Sequence, residues 1–455
     1  MDRESLVKNF KDKKILILGL GREGRDSFLF FRKLFPEKTI GLADRLEKSS
    51  LPRETKKIIS RGKKIDLHCG RDYLKSLAQY DVVVKSPGIP VHLPPIEIAA
   101  KKGKITSQTA IFLKYCPGVV VGVTGTKGKS TTAALIYAIL KRAGKRARLL
   151  GNIGVPVLTD LLVANNGDNF VLELSSHQLY YADRSPHIAV LLNLYPEHLD
   201  YYRDFSEYAR AKANIMRFQT KKDFLVYNAA DRRVSAIAKK SKAKTINFNN
   251  YPLDVSEKIG LIGAFNQRNA KAAASVGRIL KIGQKTISEA IASFKPLEHR
   301  LELVATVNGA RFYDDALSTI QESAVAAIDA FGREVETLIA GGFDRGQPHG
   351  RLAKKILDSD IRTLILFPTT GSRIWRELAS AAKKSGRAAR RREIKHHFAG
   401  NMEEAVRMAV ANTGKGRVCL MSCAASSFSI FKDYREKGSR FRECLERYAR
   451  RRPKK

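Results

Sequence analysis

The 455-residue chain lacks any uninterrupted apolar run approaching the roughly 20 residues that span a bilayer, so no membrane-crossing helix is expected. Its opening segment, MDRESLVKNFKDKK, is polar, and the apolar stretch behind it, Ile15 to Leu20, is too short for a signal peptide. The five cysteines, Cys69, Cys116, Cys419, Cys423 and Cys444, form no CxxC pair. Their odd number suits free thiols in a reducing compartment, and the expected location is cytoplasmic. Internal repeats and low-complexity tracts are absent. Acidic residues are scarce: 45 Asp and Glu stand against 83 Lys and Arg, a net charge of +38. Nucleic acid is the obvious suspect for such a balance. Yet no zinc knuckle or RNP-type aromatic motif accompanies the charge, which is densest at Lys383 to His397 and in the tail RYARRRPKK. A basic proteome, a solvated face or an enzyme with only anionic substrates gives the same excess. No stable nucleic-acid or membrane partner is expected.

What the chain does have is a globular composition, 44% hydrophobic, and length for about three domains. Its most informative stretch is GVTGTKGKSTT, Gly122 to Thr132. The apolar run Val119 to Val121 leads into a glycine-rich turn and then the helix-forming AALIYAILKRAG. Strand, phosphate loop and helix follow in that order. Gly125 and Gly128 let backbone N–H groups approach an anion, Lys129 neutralises phosphate charge, and Ser130 or Thr131 suits magnesium. Val123 occupies the first glycine position of the strict G-x-x-x-x-G-K-[ST] pattern. A merely structural glycine turn is the plainer alternative, and the strand and helix on either side weigh against it.

Strand and helix signals alternate along the whole chain, so the fold class expected is α/β with mainly parallel sheets in three domains. Residues 1–107 read as a Rossmann-like domain. There KKILILGLGREG carries a GxGxxG at Gly19, Gly21 and Gly24, with Asp44 closing the strand IGLAD, and DVVVKSPGIP ends in a turn facing the same crevice. Residues 108–296 read as a central P-loop ATPase-type domain, with FKPLEHRLE as its exit linker. Residues 297–455 read as a second Rossmann-like domain.

Within the central block, Glu173 ends the apolar strand FVLEL, where a magnesium ligand beside a phosphate loop belongs; a salt-bridged strand-end glutamate is the alternative. His198, in NLYPEHLD, follows another apolar strand, and a lone histidine is more often structural than a ligand. Lys212 sits in a helical, alternating basic stretch and on sequence alone reads as solvated.

The order of the pieces carries more than any one of them. GxGxxG, SPGIP, TGTKGKSTT, GNIG, ELSSHQL, NLYPEHLD, YARAK, NQRNAKAA, EHR, YDDALST, AGGFDRG and CAASSFSIFKDY run in the sequence and at the spacings of the Mur ligases, over nearly the whole chain. The resemblance implies an ATP-dependent amide-forming ligase of peptidoglycan precursor synthesis, working as a monomer on UDP-N-acetylmuramoyl-L-alanine, glutamate and ATP with two magnesium ions. It implies that Asp44, Arg45, Ser86, Asn152 and Gln178 hold the UDP-substrate, so that the GxGxxG cradles a uridine diphosphate. Thr126, Lys127, Gly128, Lys129, Ser130, Thr131 and Thr132 would bind ATP, joined by Asn269, Arg300 and Asp315. Ser130, Glu173, His198 and Lys212 would serve the metals, Lys212 as a carbamate, and Lys129, His198 and Lys212 would be catalytic. Thr319, Arg345, Ser427, Phe428 and Tyr434 would receive the incoming amino acid. The chain departs from the family's DSKATN at Ala316, Leu317 and Ile320, and has Cys423 where proline is common. A variant adding L-glutamate or another amino acid stays open on that ground. Two rivals from other classes are a basic P-loop nucleic-acid ATPase, whose turnover would depend on DNA or RNA, and an NAD-dependent oxidoreductase, which would leave the phosphate loop idle.

Overall fold

The computed structural model of the protein describes residues 3–62, 64–152, 154–198, 200–253 and 262–450. They fall into two compact units, the first drawn from Met1–Asp254 and Arg268–Ala292, the second from Val255–Gln267 and Ser293–Lys455. The first unit contains two sheets, the second one. Among the described residues no helix is long and apolar enough to cross a membrane.

The first sheet has five strands in the spatial order Ile65–Cys69, Ile40–Asp44, Ile15–Leu18, Val82–Lys85 and Ile105–Thr106, all parallel. Ile15 to Leu18 is inaccessible at every residue, as a strand covered by helices on both faces must be. Chain order reverses between Ile15–Leu18 and Val82–Lys85, which opens a crevice at their carboxyl ends. The glycine loop and the Ser86–Pro87–Gly88 turn both lie there. Ser86 Oγ donates to Gly19 O at 2.8 Å, and Asp44 accepts from the Leu20 and Leu46 amides at 2.7 and 2.9 Å.

The second sheet has six parallel strands, in the order Lys244–Asn247, Phe224–Tyr227, Ile188–Leu191, Val119–Thr124, Asn169–Glu173 and Ala147–Gly151. Val119–Thr124 is central, and its two neighbours end in Glu173 and in the segment leading to His198. The helix Arg22–Leu34 ties the two sheets together. Arg22 donates to the Gly151 and Gly154 carbonyls, Glu23 accepts from Gln178 at 2.8 Å, and Asp26 accepts from the Leu158 amide and from Gln108.

The second unit's sheet runs Glu302–Val307, Ala310–Asp314, Val418–Met421, Val335–Gly341, Thr363–Phe367 and Lys395–Phe398. Its first pair is antiparallel and the other pairs are parallel, so the sheet is mixed where strand–helix alternation alone suggested parallel pairing. The cause is the dipeptide Asn308–Gly309, with φ of +55° and +78°, the left-handed pair of a tight hairpin turn.

Candidate active site

The phosphate loop follows Val119–Thr124 and opens the helix Lys129–Arg142. Gly128, at its N-cap, has φ +86°, and a Cβ there would meet Asn269 Oδ1 at 2.4 Å. Only glycine admits both that backbone and that neighbour. Lys129 Nζ donates to the Gly125 and Thr126 carbonyls at 3.1 and 2.9 Å, which folds its ammonium over its own loop. Thr126 Oγ1 lies 2.9 Å from the Tyr208 hydroxyl, and Lys127 pairs with Glu197 at 2.9 Å. Ser130 is half-buried, whereas Thr131 and Thr132 are buried.

The neighbouring strands bring the other groups to this loop. Glu173 is 1% exposed; its Oε1 accepts from Asn152 Nδ2 at 2.9 Å, and its Oε2 has no hydrogen-bond partner among the described residues. A buried carboxylate oxygen left unmatched is costly unless a cation completes it, so this donor set fits a divalent metal. His198 has φ +59°, and its ring packs edge-on to His177 with centroids 4.8 Å apart. Burial lowers the His198 value, with Glu197 opposing and Lys212 and Lys129 reinforcing the shift. Burial likewise takes His177 down to about 3. Glu197 is driven the other way from what burial alone would do: Lys127, Lys129 and His198 bring it to about 2.

Lys212 is the largest departure from its sequence reading. Far from solvated, its side chain is 2% exposed, donates to Gly125 O at 2.9 Å and lies 4.9 Å from the Tyr208 ring centroid. Burial, aided by Lys129, lowers its value far below that of an ordinary lysine. Lys129, Glu173, His198, Lys212 and Asn269 thus gather around one loop.

The residues expected to hold the UDP-substrate divide. Ser86 and Asp44 organise the first crevice, Arg45 is exposed beside it, and Asn152 reaches the central site. Gln178 is buried, bonded to Glu23 and to the Ser175 amide. Sequence reasoning passed over Glu23, Lys85 and Glu197. Lys85 is 3% exposed, donates to Ser86 O at 3.1 Å, and burial lowers its value to about 7. Its position directly before SPG was the available signal.

In the second unit, Arg345 lies over Phe428 at 5.7 Å, both exposed, and Ser427 Oγ is buried without a hydrogen-bond partner among the described residues. Thr319 is half-buried, and Tyr434 packs edge-on against His299. Asp315 is buried and accepts from the Ser318 and Ser422 hydroxyls, with the Arg300 charge nearby. Burial raises its carboxyl to about 6 despite those bonds. The folded protein therefore holds this proton more tightly than the unfolded chain. The associated stability is complete below about pH 4 and is lost as pH rises through about 6. Asp315→Asn should gain in melting temperature relative to the parent across that window, with a constant difference above it. Thermal unfolding of both proteins against pH checks this, and a difference independent of pH would assign the proton elsewhere.

Three family profiles match the chain: a MurD-like N-terminal domain over residues 13–106, a Mur ligase middle domain over 123–256, and a Mur ligase glutamate ligase domain over 299–425. The chain belongs to the Mur ligase family. Within it, the UDP-N-acetylmuramoylalanine–D-glutamate ligase of Acetivibrio thermocellus is 31% identical, over 96% of this chain and 97% of its own. The protein of that name from Clostridium botulinum strain Langeland is 32% identical, over 98% and 100%. Two solved structures from Thermotoga maritima share the fold. The UDP-N-acetylmuramate–alanine ligase MurC has a TM-score of 0.59 at 18% identity, covering 97% of this chain and 100% of that one. MurF, in complex with ADP, has 0.59 at 16%, covering 97% of each.

Proposed function

We propose that the protein is an ATP-dependent ligase that joins glutamate, in its D form, to the alanyl carboxylate of UDP-N-acetylmuramoyl-L-alanine in peptidoglycan precursor synthesis. The observation that carries this reading is the cluster in which the Gly125–Thr132 loop, the unmatched Glu173 oxygen, His198 and Lys212 come together. The γ-phosphoryl group of ATP passes to the alanyl carboxylate. Glutamate's amine then attacks the acyl carbon, and phosphate leaves as the amide forms. The loop amides and Lys129 suit the triphosphate, offsetting charge on the phosphoryl group in transfer. Glu173 and His198, with Ser130 and with Lys212 as its carbamate, would hold magnesium, which when bound supplies further positive charge at the phosphoryl oxygens. Water must be kept from the acyl phosphate, and the aromatic wall of His177, Tyr201, Tyr202 and Tyr208 around His198 is suited to that.

The exposed Arg345 guanidinium is the candidate for gripping the glutamate side-chain carboxylate, since its planar fork matches a carboxylate bidentately. With Leu317 where the family has lysine, Arg345 carries more of this recognition. The test is phosphate release with UDP-N-acetylmuramoyl-L-alanine over a panel of amino acids, in the parent and in Arg345→Ala. Release should require D-glutamate, and the variant should raise KM for glutamate at least about tenfold while leaving that for ATP unchanged. Equal turnover with glutamine in the parent would refute the carboxylate assignment, and turnover driven by RNA or DNA instead would refute the ligase reading.

A further inference from the structure

Most of the positive charge has no part in the reaction above, and one of its densest stretches lies within the second unit. Between Lys383 and His397 there are seven Lys or Arg residues and one acidic residue, Glu393. The segment lies at the open edge of the mixed sheet, whose outermost strand is Lys395–Phe398. Two of the seven cations are neutralised locally: Arg387 pairs with Asp358, and Arg390 with Glu393. Lys383, Lys384, Arg392 and Lys395 are exposed and make no ion pair among the described residues.

The same segment and the helix packed on it carry a run of flat groups. His396 stacks on the Trp375 indole, centroids 3.9 Å apart and planes 17° from parallel. The Arg391 guanidinium lies 4.4 Å from the same ring, and its Nε is buried with no hydrogen-bond partner among the described residues. Phe398 stands perpendicular to His396 at 5.7 Å and is 50% exposed. Aromatic rings and an arginine plane presented together with unpaired cations match the two chemistries of an unpaired polynucleotide, flat bases and regularly spaced phosphates.

Other anionic partners fit less well. The apolar face of the helix Gly371–Lys384 is spent on the core, through Ile374, Leu378 and Ala382, which leaves Phe398 alone to enter a lipid surface. The edge strand has four residues, too short to template an added peptide strand securely.

We propose that this edge is a docking surface for single-stranded nucleic acid, with bases stacking on His396 and Phe398 and phosphates on Lys383, Lys384 and Arg392. The proposal replaces the expectation of no nucleic-acid partner, which rested on the lack of an RNP-type motif. Because Trp375 is the chain's single tryptophan, its emission reports on this surface alone. Titration of the whole protein with a uridine oligonucleotide should change that emission saturably. The affinity should fall at least about tenfold between about 50 and about 200 mM salt. Phe398→Ser should weaken binding roughly tenfold, about one stacked base, and leave ligation unchanged. Polyphosphate, which has charge without bases, should compete poorly. The proposal is overturned by an unchanged emission, by polyphosphate competing as well as the oligonucleotide, by wild-type affinity in Phe398→Ser, or by phosphatidylglycerol vesicles binding more tightly than the oligonucleotide.

Discussion

Lys129→Ala should lose ligase activity by at least about two to three orders of magnitude while binding the UDP-substrate nearly as well as the parent. The scale is that of removing one preorganised group from developing charge on a transferring oxygen. In the structure the ammonium rests on the Gly125 and Thr126 carbonyls, within its own loop, so it needs only a side-chain rotation to meet a phosphate. The crevice proposed for the uridine end belongs to another sheet, where Ser86 bonds the Gly19 carbonyl and Asp44 the Leu20 amide. Activity and substrate binding should therefore separate. Phosphate release and calorimetric titration with the UDP-substrate measure the two quantities, and retention of more than about a tenth of the activity would remove the loop from the mechanism.

The second large effect is expected at Lys212. Replacement by alanine should cut turnover by about a hundredfold or more, and a short carboxylate such as formate or acetate should restore part of it. A carbamate forms only when a neutral amine adds carbon dioxide and releases a proton. Burial and the neighbouring Lys129 favour that neutral form by moving Lys212 far below an ordinary lysine. The amine already sits beside Gly125 O and on the Tyr208 ring, at the edge of the phosphate loop. A carboxylate entering the space left by the side chain would return the negative charge a metal needs. Turnover equal to the parent without any additive would show that no charge is supplied from this position, and an additive effect equal in the parent would show that rescue is not specific.

Much of this architecture could be read from residue order. The strands ILIL, IGLAD and VVVGVT are short apolar runs closed by glycine or a polar turn, and the structure pairs all three in parallel. Residues carried on such strands were easy to place, Glu173 above all, because a strand end fixes direction as well as position. Lys212 was illegible for the opposite reason. On the helix Phe205–Arg217 it is one of three cations, with Arg210 and Arg217, and only the turn toward the phosphate loop decides that it is the buried one of the three. The hairpin at Asn308–Gly309 has its dipeptide signal in the sequence, and the strand–helix rhythm around it hides that signal. Stacking of Trp375, Arg391 and His396 depends on the helix Gly371–Lys384 crossing an edge strand, which no local pattern announces.

The helix Arg22–Leu34 has a consequence for modularity. Its first turns present three side chains to the central domain, and two of their partners, the Gln108 amide and the Leu158 N–H, are buried polar groups. A replacement sheet packed at the same place without Asp26 would leave both covered and unmatched, at about 1–3 kcal/mol each. The first sheet is therefore not a cassette that can be exchanged by cutting at the loop between sheets. A working chimera would have to carry the recipient's equivalents of Arg22, Glu23 and Asp26 with it, because the seam between the two modules runs through that helix and not through the chain connection.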